Sequence, residues 1–124
     1  MQKIASIAAA GALGTVVRYG IAEVVNRVSN PSFPLGTLAV NAIGCLIVGF
    51  LLALFENRLT VTSETKTLIL VGFMGAFTTF SAFALETSEF LRTANYFHAT
   101  GNILLQNFLG IAMLFAGFFI GRMI

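Results

Sequence analysis

Charge is scarce in this sequence: Lys, Arg, Asp and Glu make up 10% of its 124 residues, against about 25% in a soluble domain. The net charge of +2 is small and scattered, which excludes a nucleic-acid footprint. Cys45 is the one cysteine, so neither a disulfide framework nor a cysteine-based metal cluster can form. His98 is the one histidine and falls in a loop. No acid pair has the spacing of general acid–base work and no nucleophile has a basic partner, so no enzymatic constellation is present. Tryptophan is absent, which removes the side chain best suited to line an aromatic drug site. The two prolines, Pro31 and Pro34, share one short polar stretch and mark a turn region.

What fills the sequence is apolar: 57% of residues are hydrophobic. A domain this small buries only about 60% of its surface, so no single core could hide that much apolar area. The lipid bilayer is the fitting solvent. An all-α integral membrane protein is expected, with 1–124 as one membrane domain and no second module. A spanning helix needs roughly 20 mostly apolar residues. Four segments meet this, at about 4–25, 35–55, 67–91 and 101–123. Lys3 is followed by an apolar run that outlasts a signal-peptide core and lacks a polar stop, so it reads as the first membrane helix. The connections are short: Arg27 to Pro34, Glu56 to Lys66 and Arg92 to His98. Thr62 or Ser63 suits the cap of the third helix, and Tyr96 suits an interfacial anchor. Function must therefore sit between the helices.

Lys3, Arg58, Lys66 and Arg122 fall on one side of the membrane, Arg27 and Arg92 on the other with Arg18 near it. Orientation follows a clear Lys/Arg excess, and here the excess is weak. Two readings stand: a chain that inserts both ways and pairs as an antiparallel dimer, or a single topology set by one or two charges.

Several spans carry residues that lipid alone does not call for. The third contains Gly72 and Gly75 followed by Thr78 and Thr79 near its middle. Glycine is permissive in backbone angles, and Ser/Thr side chains can satisfy freed backbone groups. A helix break fits, and so does an ordinary helix with small residues for close packing. At a break, freed carbonyls suit a cation and the new helix N-terminus suits an anion. Phe80 and Phe83 share a face. Their ring edges carry partial positive charge and could line an anion route, although such a pair more often serves lipid contact or packing. Asn41 sits in the otherwise apolar second span, either as a donor or as interhelical glue. In the fourth span Asn102, Gln106 and Gly110 recur every four residues and form a polar stripe suited to a pore wall. Further along, Gly117 and Gly121 form a small-residue contact motif. Arg18 lies late in the first span, where an intramembrane arginine marks a functional position. Glu86 and Glu89 could pair with it or reach water, and Glu23 is expected to be solvated.

The residues Gly11–Gly14 with Arg18–Tyr19, Gly36–Gly44 (GTLAVNAIG) and Gly72–Phe83 (GFMGAFTTFSAF) resemble the Fluc/CrcB fluoride channels. The likeness covers the whole chain in length, helix count and motif order, and the third string is specific. It implies a dual-topology antiparallel homodimer in the bacterial inner membrane, with the third helix broken near the midplane and two pores per dimer. Such channels export fluoride passively and so reduce its toxicity. By the resemblance Phe80 and Phe83 line the pore and Asn41 donates to the ion, with Ser81 and Thr79 nearby. The backbone carbonyls of Gly75 and Thr78 hold a structural sodium ion at the dimer centre, and Arg18 stands in the vestibule. The implied partners are fluoride, a second copy of the chain and membrane lipid. The fourth helix departs from the family, which often carries a Tyr/Ser/Thr track where this chain has Asn102 and Gln106. An amide donates, but it also presents an acceptor oxygen that would repel an anion if it faced one.

Two other classes compete. A small four-helix dual-topology multidrug exporter needs a membrane-embedded carboxylate in its first helix, and the middle of this one has none. A non-transporting assembly factor would use its polar residues only as glue between helices.

Overall fold

The computed structural model describes residues 1–29, 32–57 and 60–124. Arg58, counted above in the charge balance, lies outside them, as do Asn30, Pro31 and Leu59. The described residues are all-helical where they are regular. Four spans are long and apolar enough to cross a membrane: Gln2–Val28, Leu35–Glu56, Ser63–Arg92 and Tyr96–Met123. The first, second and fourth are single helices, α1 (Gln2–Val28), α2 (Leu35–Asn57) and α6 (Tyr96–Met123). The third is a succession: α3 (Ser63–Thr67), a π-helical stretch (Leu68–Met74), the short α4 (Gly75–Phe77) and α5 (Phe80–Arg92).

Small residues set the helix spacing. α2 and α6 share the largest contact, and they approach so closely that a methyl at Gly49 would overlap the Leu114 carbonyl and one at Gly117 the Leu46 carbonyl. A Cβ at Gly121 would lie 2.8 Å from Ala53 Cβ, so the Gly117/Gly121 motif faces α2. In lipid such closeness is what holds helices together, because apolar side chains gain little by leaving the tails for each other. α1 crosses the third span in the same way, with Gly14 against the Phe73 carbonyl. Gly14 is its only buried residue. Between α2 and the third span lie Val40, Met74 and Phe77, the buried cluster of the bundle.

The helix ends are capped by side chains the sequence supplies locally. Thr62 caps α3, accepting from the Thr65 N–H at 3.2 Å. Asn26, late in α1, accepts the first-turn N–H of Gly36 at 3.0 Å, one of the donors a helix start leaves without a partner. α6 begins at Tyr96, not at Gly101 as its hydropathy predicts. Asn95 caps it through His98 N–H at 3.4 Å, and the connection tightens because Ala94 takes a left-handed φ of 56°. The rings of Phe33, Phe90 and His98 gather over this first turn, with Phe90 and His98 centroids 5.4 Å apart.

Inside the third span the hydrogen-bond register changes twice. Through Leu68–Met74 it widens to π geometry, ending where the Gly75 N–H donates to the Leu70 carbonyl. After Phe77 helical angles stop. Thr78 (φ −84°, ψ 156°) and Thr79 (φ −147°, ψ 108°) are extended, and helix resumes at Phe80. These two residues fall halfway along the 30-residue span.

Candidate functional site

The interruption at Thr78–Thr79 strands backbone groups inside an apolar bundle, and every such group needs a partner there. Asn41 of α2 meets two of them at once. Its Oδ1 accepts the Thr79 N–H at 2.8 Å, and its Nδ2 donates to the Thr79 carbonyl at 3.1 Å. The remaining N–H of the same amide goes to Gln106 Oε1 on α6, at 3.0 Å. Both Asn41 N–H bonds are therefore committed within the protein. Gly44, one turn on, makes room: a methyl there would overlap the Thr78 side chain.

The clasp has a second effect. In a continuous helix the Thr79 N–H would serve the Gly75 carbonyl, and the Ala82 N–H that of Thr78. Here Thr79 N–H goes to Asn41, and Ala82 N–H goes to the Thr79 hydroxyl at 3.2 Å. The carbonyls of Gly75 and Thr78 thus lose their helical donors to side chains. Gly75 itself is exposed in the single chain.

A cavity of about 280 Å³ opens beside the clasp, lined among others by Asn41, Thr79, Phe80, Phe83 and Gln106. Phe80 and Phe83 meet edge to face, centroids 5.2 Å apart at 68°. Phe83 is buried while Phe80 is 77% exposed. Cys45 also lines this cavity.

The other residues singled out above distribute differently. Ser81 is exposed, its hydroxyl 3.3 Å from that of Thr79, and it does not line the cavity. The stripe on α6 divides. Gln106 reaches the cavity, Gly110 packs against the Cys45 sulfur, and Asn102 turns into the α5–α6 contact. There Asn102 is fully buried and donates to the Thr87 hydroxyl at 3.0 Å, which itself donates to the Phe83 carbonyl at 2.8 Å. Thr87→Val is expected to leave Asn102 Nδ2 without an acceptor and to lower stability by about 0.5–2 kcal/mol, read as a lower unfolding midpoint in detergent.

Arg18 lines a second cavity of about 220 Å³ together with Thr37 and Thr79. Its Nε is buried with no partner. Neither Glu86 nor Glu89 pairs with it: the ion pair among the described residues is Arg27–Glu23 at 2.9 Å. The Glu23 side chain is exposed, as expected of a solvated acid, and pairs one turn along its own helix. Glu86 Oε1 instead accepts from the Thr37 hydroxyl. The Thr37–Glu86 and Asn102–Thr87 bonds were not anticipated. The signal for them was the i, i+4 spacing of Thr37 with Asn41 and of Phe83 with Thr87, which places each threonine beside a residue already singled out.

Four apolar spans with polar groups converging inside the bundle, at a helix interruption faced by aromatic rings, define a multi-pass integral membrane protein with an internal polar site. The chain belongs to the CrcB family, whose model, described as "CrcB-like protein, Camphor Resistance (CrcB)", matches residues 5–118. Among curated relatives, a protein of Desulforapulum autotrophicum named Fluoride-specific ion channel FluC is 52% identical over 123 residues, covering 99% of this chain and 98% of that one. Proteins of the same name from Nitrosococcus oceani and Nitratidesulfovibrio vulgaris are 47% and 43% identical. They cover 99% and 100% of this chain and 98% and 100% of their own length.

Proposed function

We propose that this chain is a fluoride-selective channel of the bacterial inner membrane, a conducting protein and not an enzyme, through which the membrane potential drives the anion out of the cell. The observation that carries this reading is the cavity at Thr78–Thr79, where amide groups and two phenylalanines meet without a fixed positive charge. Fluoride is small and holds its water strongly, so a selective path must replace that water with several donors and still release the ion. Ring edges of Phe80 and Phe83 supply weak positive potential. Asn41, Thr79 and Gln106 line the cavity on the route, with Ser81 and Asn102 set back from it, and Arg18 stands in the vestibule. The full-length relatives named as fluoride channels support the same reading.

The working unit is an antiparallel homodimer with the interruption of the third span near the membrane midplane. Phe80 and Gly75 are exposed in the single chain, α1 buries little of itself, and the weak charge bias lets both orientations insert. Membrane lipid covers the remaining apolar surface. A structural sodium ion fits the Gly75 and Thr78 carbonyls, because hard cations take oxygen ligands and these two have been stripped of helical donors by Asn41 and Thr79. Two carbonyls from each copy would hold it, and it supplies a fixed charge where the subunits meet. The multidrug-exporter alternative is not favoured: the acid of α1, Glu23, is late in the helix and paired with Arg27.

Expression of the chain in a fluoride-sensitised bacterium tests the reading. Growth is expected at fluoride concentrations that stop the parent strain. Phe83→Ile, which removes a ring but no packing volume of consequence, is expected to lower fluoride flux at least ~10-fold and to abolish protection. No protection by the wild-type chain, with the protein present in the membrane, would overturn the proposal.

A further inference from the structure

α5 carries both rings that face the cavity, yet it meets the rest of the chain through little of its surface. Phe83 and Thr87, one turn apart, are its buried residues, and Leu85 between them is 68% exposed. Where the rings stand therefore depends on the few points that fix this helix. Its start is held by Asn41 of α2 through the two bonds to Thr79. Glu86 accepts from Thr37, also of α2. About two turns on from Thr79, a second amide holds α5 from the α6 side: Asn102, 0% exposed, donates to the Thr87 hydroxyl at 3.0 Å. A hydroxyl has one hydrogen. With the amide N–H arriving at its oxygen, the Thr87 hydrogen goes to the Phe83 carbonyl, 2.8 Å away. A threonine bonded back in this way slightly bends its helix, here at the turn that carries Phe83. Phe80 follows, because its ring meets that of Phe83 edge to face. The segment bearing both rings is thus clasped by an amide at each end, Asn41 from α2 and Asn102 from α6.

Stability does not account for the second clasp. No donor among the described residues reaches Asn102 Oδ1, which is buried, so the amide carries a desolvation cost that its one bond only partly offsets. Asn102→Leu together with Thr87→Val would fill nearly the same shape with no polar group to desolvate, and such paired replacements are close to neutral or stabilising. The polar pair therefore serves something other than packing. We propose that Asn102 and Thr87 are positioning residues for the phenylalanine pair, setting the bend and rotation of α5 with which Phe83 and Phe80 are presented to the cavity. Neither of the two lines that cavity, so they act through the rings and not on the ion. This rests on the channel reading above and makes Asn102 a support of the route instead of part of its wall.

The test measures fluoride efflux from liposomes containing the purified full chain, beside thermal unfolding of the same protein in detergent. The double variant Asn102→Leu/Thr87→Val is expected to keep or raise the wild-type unfolding midpoint. Its fluoride efflux is expected to fall ~3–15-fold, the factor that one interhelical hydrogen bond in a membrane supplies. Thr87→Ser retains the hydroxyl and is expected to stay within ~2-fold of the wild type. In a Phe83→Ile background the double change is expected to alter efflux by less than ~2-fold, because the ring through which it acts is gone. Thr87→Val alone, which breaks the same relay, carries the efflux measurement if the double variant is not recovered. A conducting wild type with the double variant within ~2-fold of it would overturn this proposal and leave the channel reading intact. Losses that multiply with that of Phe83→Ile would put the effect elsewhere than at the ring and overturn it as well. An unfolding midpoint of the double variant clearly below the wild type's would do the same, since the pair would then be glue between helices. A wild-type chain that passes no fluoride would overturn the channel reading itself, and this positioning role with it.

Discussion

Asn41→Ala is expected to reduce fluoride efflux by more than ~100-fold. The variant deletes three hydrogen bonds from one amide, two of them to the backbone of Thr79 and one to Gln106. The Thr79 N–H and carbonyl would be left inside the bundle with no water to replace the lost partner, and each such group costs several kcal/mol. A factor of ten corresponds to about 1.4 kcal/mol, so even partial loss at two groups reaches the stated magnitude. The segment has one inexpensive way out: Thr79 N–H can return to the Gly75 carbonyl and restore helical bonding. That would withdraw an oxygen from the proposed sodium site and draw Phe80 away from the cavity together. Efflux from liposomes, normalised to inserted protein, reads the first effect, and sodium-dependent protection against thermal unfolding reads the second. Asn41→Ala protein that conducts like the wild type would mean that the interruption holds itself open without α2.

Gly117→Val is expected to prevent recovery of a folded protein. Its first added carbon would overlap the Leu46 carbonyl, and Gly49 faces the Leu114 carbonyl in the reciprocal contact. The obstacle is backbone and not the end of a flexible side chain, so α2 and α6 would have to separate along their whole contact. Overpacking a dense interior costs roughly 1–3 kcal/mol when side chains can shift, and more is expected where they cannot. Because α6 presents Gln106 to Asn41 of α2, the site would be lost with the contact. Size-exclusion chromatography of the detergent-solubilised variant is expected to show aggregate. A monodisperse peak at wild-type yield would contradict the close-packed α2–α6 contact.

Hydropathy made the spans legible because every one of them exceeds the bilayer's length requirement, and the Gly117/Gly121 spacing pointed correctly at a helix contact. The helix starts were less legible. α6 begins at Tyr96 because Asn95 and the Phe33–Phe90–His98 rings fix its first turn, and no hydropathy window registers a cap. The π-helical stretch over Leu68–Met74, where Gly14 and Gly72 bring α1 and the third span close, has no signature in side-chain type. The polar stripe on α6 was legible as a stripe. Its division between Gln106 at the cavity and Asn102 against Thr87 was not, because periodicity assigns a face and not the neighbour across it. Likewise the presence of a polar amide at Asn41 was plain, whereas its two-point hold on Thr79 depends on a residue far along the chain.

The most direct measurement is fluoride efflux set beside chloride efflux from the same liposomes containing the purified wild-type chain. Rapid release of fluoride with chloride almost wholly retained, and no accompanying requirement for proton exchange, is the predicted result. Equal release of both anions, or none of either, would contradict the assignment of the Thr78–Thr79 cavity as a selective fluoride path.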